Sequence, residues 1–352
     1  MRLLSERDIE RLIDPAAAIA ASAEAYRRQA AGEMPAPGRL DVLRTDPKGG
    51  ALVLAGHSFD HRFVVKTNIH AYADAATDAA KPARTASSGL VLWDGVACVP
   101  LAHMATSSFN DHRTAAGFAA AAQMLVPPAP HTLAVFGAGK IAPATVLYLA
   151  TVRRFARVVL VGRNVERARG LAAQLAARPE LDGIDITVET DAATAATEAD
   201  VIATVTTAET PIFPGDAVRS GTVVILGGGN RPTHREVDDG FMRRARVFVD
   251  HFDGATTRAG DLALTLASGV LRPEQIFGEI GAVLASGEVP PMPPGLDITV
   301  FKSIGIAAQD VITAGMVYDR AVREGVGLEF DMRDGSVVPV AATAPATPGP
   351  AS

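Results

Sequence analysis

A glycine-rich turn is the clearest chemical pattern in the sequence. The apolar run Thr132–Phe136 is followed by Gly137, Gly139 and Ala142, which form a G-x-G-x-x-A pattern. The first glycine allows a tight turn, the second lets a pyrophosphate approach the backbone, and the alanine allows close packing of a helix on the strand. Free N–H groups at the start of that helix attract phosphate. A purely structural turn is the alternative. The predicted cofactor-binding residues here are Gly137, Ala138, Gly139, Lys140 and Ile141.

The end of the next strand carries an arginine where an acid is common. Arg163 and Asn164 follow the apolar run Val158–Val161. A site specific for NAD usually has Asp or Glu here, which accepts hydrogen bonds from the ribose 2′-hydroxyl. A guanidinium pairs instead with a 2′-phosphate, and Arg167 lies one helical turn further on. We therefore expect NADP(H), with Arg163, Asn164 and Arg167 in its site. NAD(H) is the alternative, in which case Arg163 is only a solvated residue of an Arg-rich stretch.

Two further cations have the chemistry to act on an anionic substrate. Lys66 ends the apolar run Phe63–Val65. An amine at the end of a buried strand is partly desolvated, which suits a proton donor or a carboxylate ligand; an exposed strand-end lysine is the alternative. The guanidinium of Arg113 matches a carboxylate in two hydrogen bonds. Arg113 lies near an expected helix start, a disfavoured place for a cation, and this favours a functional role over a surface one.

The elements that must position these residues follow two different patterns. Residues 39–103 are typical of a mostly antiparallel sheet flanked by helices that begin at Ser5 and Pro15. From His131 onwards, strands alternate with helices, which predicts a parallel, doubly wound sheet. The fold class expected from these patterns is therefore α/β, with a doubly wound Rossmann domain and a separate mixed α+β part. The strands expected in the first half are Leu52–Leu54, Phe63–Lys66, Gly89–Leu92 and Ala97–Leu101, with turns at Gly49-Gly50 and Asp94-Gly95.

Composition excludes several classes of protein. Hydrophobic residues make up 48% of the chain and charged residues 20%, which is typical of a globular protein. The net charge is −6 and no dense Lys/Arg run exists, so neither nucleic acid nor an anionic membrane is an expected partner. No apolar window is long enough for a membrane span or a secretory signal. Cys98 is the sole cysteine, so we expect a cytoplasmic, reducing location. His57, His61 and His70 lie in strand and loop patterns, and no metal site is expected.

Seven short segments of the sequence carry a resemblance to a known family. They are Val64–Lys66, His112–Ala116, Gly137–Gly139, Arg231–Asp239, Phe248–Asp250, Gly278–Ile280 and Thr299–Gly305. In order and spacing they resemble the ornithine cyclodeaminase/mu-crystallin family over about residues 1–325. The resemblance implies a homodimer of two-domain subunits. It implies a Rossmann domain of residues 126–301 inserted into a mixed α+β substrate-binding and dimerisation domain of residues 1–125 and 302–334. The Ala/Pro/Thr-rich residues 335–352 are expected to be disordered.

The same resemblance implies roles for individual residues. Arg39, Lys66 and Arg113 would bind the substrate carboxylate, and Lys66 and Arg113 would also serve catalysis. Thr114 would contact a cofactor phosphate; a helix-cap hydroxyl is the alternative. Ser303 would touch the nicotinamide amide. A wall of the cofactor site would be formed by Thr204, Val205 and Thr206. The chain departs from the family at Ile141, where glutamine is frequent, and in the Ala/Asp-rich stretch Ala71–Ala83.

Asn230 decides between two kinds of reaction in this family. It follows three glycines at the end of an expected strand, where a turn residue is the plain alternative. The stretch Asn230–Met242 resembles the mu-crystallin branch, which is known for ketimine reductase activity, whereas cyclodeaminases generally carry Asp at this position. An amide cannot act as a general base. The resemblance therefore implies NADPH-dependent reduction of the C=N bond of a small cyclic or acyclic imino acid, with Asn230 catalytic.

Three other functions stay open at this point. An ornithine or lysine cyclodeaminase would hold NAD(H) tightly and release ammonia. An amino-acid dehydrogenase of the alanine type would show ammonia-dependent reduction of a 2-oxo acid. A binding protein that needs the cofactor but turns nothing over is the third, and Lys66 and Arg113 argue against it because they supply the charges that catalysis would use.

Overall fold

The chain forms two compact units in a computed structural model that describes residues 1–34, 39–45, 49–72 and 84–340. Unit 1 comprises Met1–Ala21, Gly32–Asn110 and the described chain from Ala307, and unit 2 comprises Ser22–Ala31 and Asp111–Ile306. The division falls at Asn110, within a continuous helix, and the domain boundary expected at residue 125 stays a prediction.

The secondary structure of the described chain alternates strands and helices, and none of its helices is both long and apolar enough to cross a membrane. The strands are β1 (Arg2–Leu4), β2 (Leu40–Arg44), β3 (Gly49–His57), β4 (Arg62–Tyr72), β5 (Arg84–Asp94), β6 (Val99–Ala105), β7 (Thr132–Phe136), β8 (Arg157–Val161), β9 (Asp185–Glu189), β10 (Val201–Thr204), β11 (Val223–Leu226), β12 (Ala245–Val249), β13 (Ile276–Glu279), β14 (Ile298–Lys302), β15 (Leu328–Phe330) and β16 (Val337–Pro339). The helices are α1 (Glu6–Leu12), α2 (Pro15–Ala30), α3 (Ser107–Leu125), α4 (Ile141–Val152), α5 (Val165–Ala176), α6 (Ala192–Glu198), α7 (Asp239–Arg244), α8 (Phe252–Arg258), α9 (Gly260–Ala267), α10 (Ile280–Ser286) and α11 (Ala307–Glu324).

Unit 1 is built on an eight-stranded mixed sheet with the order β16-β15-β1-β6-β5-β4-β3-β2. Strand β1 runs parallel to β6, and the other neighbours are antiparallel. Val64 and Lys66 of β4, and Leu90 and Leu92 of β5, are buried, and α11 packs against these strands. The alternate residues of β4 are exposed, as the period of two along a strand requires. One face of this sheet is therefore covered and the other is open.

The strands of unit 1 are longer than the sequence pattern predicts. Gly49 and Gly50 lie inside β3, not in a turn, because β3 approaches the neighbouring strands closely. A β-carbon on Gly49 would lie 2.5 Å from the carbonyl oxygen of His70. Strand β4 continues to Tyr72, so Lys66 lies in the middle of a strand and not at its end. Most of the Ala/Asp-rich stretch singled out above, residues 73–83, lies outside the described residues.

Unit 2 is built on an eight-stranded parallel sheet with the order β13-β12-β14-β11-β10-β7-β8-β9. The strands on either side of β7 are β8 and β10, so the order reverses there as in doubly wound nucleotide-binding folds. Its central strands are fully buried, as expected for a parallel sheet that is covered on both faces. The expected fold class, a Rossmann domain inserted in the sequence of a mixed α+β domain, is confirmed.

The C-terminal part of the chain differs from the prediction. The last long helix begins at Ala307 and not near Ile304, because strand β14 precedes it. Strands β15 and β16 follow it, although no strand was expected after this helix and disorder was expected from residue 335. These three-residue strands exist because β15 pairs with β1, more than 300 residues earlier, which no local pattern reveals. Residues 341–352 lie outside the described residues.

Helix α3 begins on a carboxylate from the start of the chain. The two oxygens of Glu6 accept hydrogen bonds from the backbone N–H of Ser107 at 2.8 Å and of Ser108 at 2.9 Å. They satisfy N–H groups that the helix itself cannot pair. The helix was expected to begin near Arg113, and it begins six residues earlier because Glu6 supplies this distant cap. Thr114 therefore lies in the second turn of α3, and its alternative role as a helix-cap hydroxyl is wrong.

Replacing Glu6 should destabilise unit 1 through α3. We expect Glu6→Ala to lower the free energy of unfolding by about 1–2 kcal/mol, the usual cost of losing a helix N-cap. Urea unfolding followed by circular dichroism measures this change. The control is Glu288→Ala, which alters an exposed loop residue after α10. Equal stability of the two variants would contradict the capping role.

Candidate active site

The loops after β7, β10, β11 and β14 leave the same edge of the parallel sheet of unit 2. Ligands of doubly wound folds bind outside the carboxyl ends of the strands, where the strand order reverses. Beside β7 and β10, this edge carries the glycine turn at 137–139 and the segment Val205–Thr206. Asn230 and Ser303 follow β11 and β14 on the same edge.

The glycine turn has the geometry that a pyrophosphate requires. Gly137 has a φ of 115°, and a β-carbon there would lie 2.8 Å from the carbonyl oxygen of Val205. Gly139 is different, because a β-carbon on it would meet nothing within 4 Å. Helix α4 then begins at Ile141 with no side-chain cap from Lys140. Open space beside Gly139 and an uncapped helix start fit a phosphate group.

The end of β8 presents positive charge to solvent. Arg163 and Arg167 are exposed, and neither forms an ion pair in the described part of the chain. Asn164 caps α5, because its side chain accepts a hydrogen bond from the backbone N–H of Arg167 at 2.9 Å. The neighbouring Arg169 differs in that it pairs with Glu166 at 2.6 Å. Two uncompensated guanidinium groups therefore lie next to the glycine turn in the fold, since β8 pairs with β7.

A buried carboxylate, Glu236, holds the loop after β10. One oxygen accepts from the hydroxyl of Thr204 at 2.5 Å, and the other accepts from the backbone N–H and hydroxyl of Thr206, at 2.9 and 2.6 Å. Burial raises the pKa of Glu236; the positive charge of Lys302 opposes this shift and the negative charge of Asp261 adds to it. The hydroxyls of Thr204 and Thr206 thus bind Glu236, and the backbone of Val205 and the methyl group of Thr206 border the glycine turn at Gly137.

A buried ion pair fixes the glycine loop after β11. Lys302 lies 3.0 Å from Asp261, and its amine also donates to the carbonyl oxygen of Gly228. The other oxygen of Asp261 accepts from the backbone N–H of Glu236 at 2.6 Å. Both charged side chains are fully buried. Sequence reasoning gave none of Glu236, Asp261 and Lys302 a role, and the only available signal was a lysine inside an apolar strand.

The side-chain oxygen of Asn230 can accept a hydrogen bond from a ligand. Its side-chain nitrogen donates to the carbonyl oxygen of Gly227 at 3.1 Å. Its side-chain oxygen is buried and has no hydrogen-bond partner among the described residues. A buried acceptor without a partner is costly, so such atoms commonly mark places where a ligand or water binds. The oxygen suits an N–H donor, such as that of an imine, an amine or a carboxamide.

Asp250 organises the turn after β14. One oxygen accepts from the hydroxyl of Ser303 at 2.9 Å and from the backbone N–H groups of Ile304 and Gly305, both at 2.7 Å. Burial raises the pKa of Asp250, and these hydrogen bonds oppose the shift. A β-carbon on Gly305 would lie 2.5 Å from a guanidinium nitrogen of Arg113, so Arg113 rests against this turn. The fold thus brings two predicted residues, Ser303 and Arg113, to one turn. The Ser303 hydroxyl donates to Asp250, which leaves it able only to accept from a ligand.

The remaining predicted cations, Lys66 and Arg39, lie in unit 1. Lys66 is 3% exposed, and its amine lies 2.6 Å from Asp310 of α11 and 3.2 Å from the side-chain oxygen of Asn110. Lys66 is therefore a buried, paired residue and not an exposed strand-end lysine. Arg39 lies just before β2 and pairs with Asp41 at 2.8 Å. Asp310 was missed by sequence reasoning, because a single acid in a helix has no distinguishing pattern.

Comparison with known proteins gives the wider context. The Δ1-pyrroline-2-carboxylate reductase of Bacillus cereus is 31% identical over 249 residues, which cover 70% of this chain and 75% of that protein. The mouse ketimine reductase mu-crystallin is 33% identical over 254 residues, which cover 72% and 75%. The structure of Thermococcus litoralis Δ1-pyrroline-2-carboxylate reductase in complex with NADH and L-proline matches with a TM-score of 0.84 and 25% identity, over 94% of this chain and 100% of that one.

The sequence profile of one family matches almost all of the described chain, from residue 1 to residue 325. This range contains all of unit 2, including the glycine turn and Asn230, and most of unit 1. The chain therefore belongs to the ornithine cyclodeaminase/mu-crystallin family.

Proposed function

We propose that this protein reduces the C=N bond of a small imino acid, cyclic or acyclic, to an amino acid with NADPH. The observation that carries the proposal is Asn230, which is neutral and has a buried oxygen without a partner among the described residues. Such an oxygen accepts the N–H of an imine or amine but cannot remove a proton as a base. The names of the bacterial and mouse relatives support the same reaction class.

The reaction requires a hydride, a proton and a hold on the substrate carboxylate. A bound nicotinamide supplies the hydride to the imine carbon. Lys66 supplies the proton to the imine nitrogen, so that C=N becomes CH–NH. Arg113 and Arg39 hold the carboxylate, and the turn that Asp250 organises positions Arg113. In this proposal the glycine turn after β7 binds the cofactor.

The first test is an assay that separates the candidate functions. We expect saturable oxidation of NADPH, followed at 340 nm, when Δ1-pyrroline-2-carboxylate is added to the purified protein. Lys66→Ala should lower kcat/KM by about 10²–10⁴-fold, the usual contribution of an acid–base group. Arg113→Ala should lower kcat/KM by about 10–100-fold, since a hydrogen bond to a charged group contributes about 1.5–3 kcal/mol. Full activity of either variant would refute its assigned role.

Other outcomes of the same assay favour other functions. Ammonia released from ornithine with NAD, without imine reduction, would establish a cyclodeaminase and contradict the argument from Asn230. Ammonia-dependent reduction of a 2-oxo acid would establish a dehydrogenase. Tight cofactor binding without turnover of any of these substrates would indicate a binding protein.

We also propose that the cofactor is NADP(H) and not NAD(H). Arg163 and Arg167 support this, because they are exposed guanidinium groups without an ion pair in the described chain, at the end of β8. A charged 2′-phosphate would compensate them. The relative from Thermococcus litoralis was solved with NADH, so the preference here rests on this chain's own arginines.

Reversing the charge at position 163 should change cofactor selectivity. Arg163→Asp is expected to raise the KM for NADPH by about tenfold or more, since a hydrogen bond to a charged group contributes about 1.5–3 kcal/mol. The KM for NADH should change little. The matched control is Arg169→Asp on α5, the helix that follows Arg163, because Arg169 already pairs with Glu166. An equal loss with both cofactors would contradict the 2′-phosphate role.

We further propose that the open face of the unit 1 sheet is a homodimer interface. Phe63, Val65 and Ile69 of β4 lie on this face at 46%, 40% and 53% exposure. Apolar residues of the neighbouring strands extend the same face. Trp93 of β5 pairs with Phe63. On the other side of β4, Ala51 of β3 pairs with Ile69, and Val42 of β2 pairs with Ala51. Contiguous apolar surface of this kind commonly marks an interface.

A charge in the middle of this face should separate the subunits. We expect Val65→Asp to convert a dimer into a monomer in sedimentation-velocity experiments, because burying an unpaired carboxylate costs several kcal/mol. Leu264→Asp is the control, since Leu264 of unit 2 is equally exposed at 40%. A monomeric wild type, or a dimeric Val65→Asp variant, would contradict the proposal.

A further inference from the structure

We propose that Asp310 is a positioning residue for Lys66. The carboxylate of Asp310 keeps the buried amine of Lys66 protonated and orients it. The proposal rests on the proposed function insofar as Lys66 donates a proton to the substrate. The effect of Asp310 on the titration of Lys66 can be measured without any substrate. The positioning role of Asp310 and the proposed imine reduction can therefore be refuted independently.

The geometry around Lys66 assigns this role to Asp310. The Lys66 amine lies 2.6 Å from the carboxylate of Asp310 and 3.2 Å from the side-chain oxygen of Asn110. The side chains of Lys66 and Asp310 are 4% and 1% exposed. The strand residues paired with Lys66 are Leu54 and Leu90, which carry no charge. The groups that face the amine thus include a carboxylate from α11 and an amide from α3.

Burial explains why the carboxylate is needed. An amine that is removed from water favours its neutral form, and a neutral lysine cannot donate a proton. A carboxylate within hydrogen-bond distance favours the charged form and offsets this effect. The amine donates a hydrogen bond to the side-chain oxygen of Asn110, and the Asp310 carboxylate forms an ion pair with its charge, so two groups orient the amine. After each turnover Lys66 takes a new proton from solvent, and the Asp310 carboxylate favours this reprotonation without touching the substrate itself.

A second ion pair between the same elements supplies a matched control. Asp319 lies further along α11 and binds Arg62 of β4 through two hydrogen bonds of 2.9 and 2.8 Å. This pair also joins α11 to the sheet, but Asp319 is 53% exposed and its partner is not Lys66. Asp319→Asn thus removes a structural α11–β4 ion pair of the same kind and leaves the Lys66 site intact.

The direct test is the titration of Lys66 by NMR. The chain has five lysines, Lys48, Lys66, Lys81, Lys140 and Lys302, so labelling lysine with carbon-13 at Cε gives a spectrum that single Lys→Arg variants can assign. We expect Asp310→Asn to lower the titration midpoint of Lys66 by about 1–3 units, the usual effect of an adjacent opposite charge. Asp319→Asn should leave it unchanged.

The pH dependence of activity tests the link to catalysis. Because the protonated form of Lys66 is the active one, kcat is lost as the pH rises through its ionisation. Removing the Asp310 carboxylate should therefore move the basic limb of the pH profile to lower pH, by the same amount as the NMR midpoint. The effect should fall on kcat more than on KM. Asp310→Glu, which keeps the charge, should restore most of the NMR midpoint.

Each outcome decides the matter. A folded Asp310→Asn protein with an unchanged Lys66 midpoint overturns the proposal, and so does a lowered midpoint with an unchanged kcat and pH profile. A lowered midpoint in a protein whose wild type reduces no imine supports the charge pairing and refutes the proposed function. If Asp310→Asn does not fold, the Lys66 midpoint of the wild type carries the test, and a midpoint well below the usual lysine value overturns the proposal.

Discussion

Buried carboxylates organise both units of this protein. Each needs hydrogen-bond donors or a cation, because these offset the free-energy cost of removing a charged group from water. Glu236 ties the loop after β10 to the loop after β11. Asp250 ties the turn after β14 to the end of β12. Asp261 pairs with Lys302, and in unit 1 Asp310 pairs with Lys66. Buried ion pairs add little net stability compared with apolar side chains of the same size. Their main consequence here is that the loops at the strand ends have one defined conformation.

Asn230 differs from these buried carboxylates because its side chain is neutral. It lies directly after the glycine loop that Asp261 and Lys302 fix, and its own oxygen remains without a partner in the described chain. The loop is therefore rigid while its most polar side chain keeps an acceptor for a ligand. Preorganised acceptors and donors of this kind need no rearrangement when substrate arrives. Reduction of an imine needs an acceptor for N–H at this point, and it does not need a base.

Much of unit 2 could be predicted from sequence because its signals are local. The strand Thr132–Phe136, the glycine turn and the helix that follows were predicted at their observed positions, since one turn requires all of these residues together. The helix after Asn164 was predicted for the same reason. These elements include the whole of the expected phosphate-binding turn.

The features that escaped prediction depend on partners that are distant in sequence. Helix α3 begins early because Glu6 caps it, and β15 exists because it pairs with β1. Glu236 could be read only as part of a family motif, because its partners come from two other loops. For Asp310 the functional signal is the distance to Lys66, which sequence spacing does not encode. The sequence showed which residues could take part in chemistry, but it did not show the residues that contact them in the fold.

The position of β1 has a consequence for the order in which the protein folds during synthesis. This strand lies between β6 and β15, so the sheet of unit 1 cannot be completed until Leu328–Phe330 has left the ribosome. Unit 2 has its full sequence once Ile306 has emerged. Domains generally fold as units during translation. The parallel sheet of unit 2 can therefore form before β1 has its partner strand β15. A chaperone that acts on this protein during synthesis meets unit 1 with an incomplete sheet.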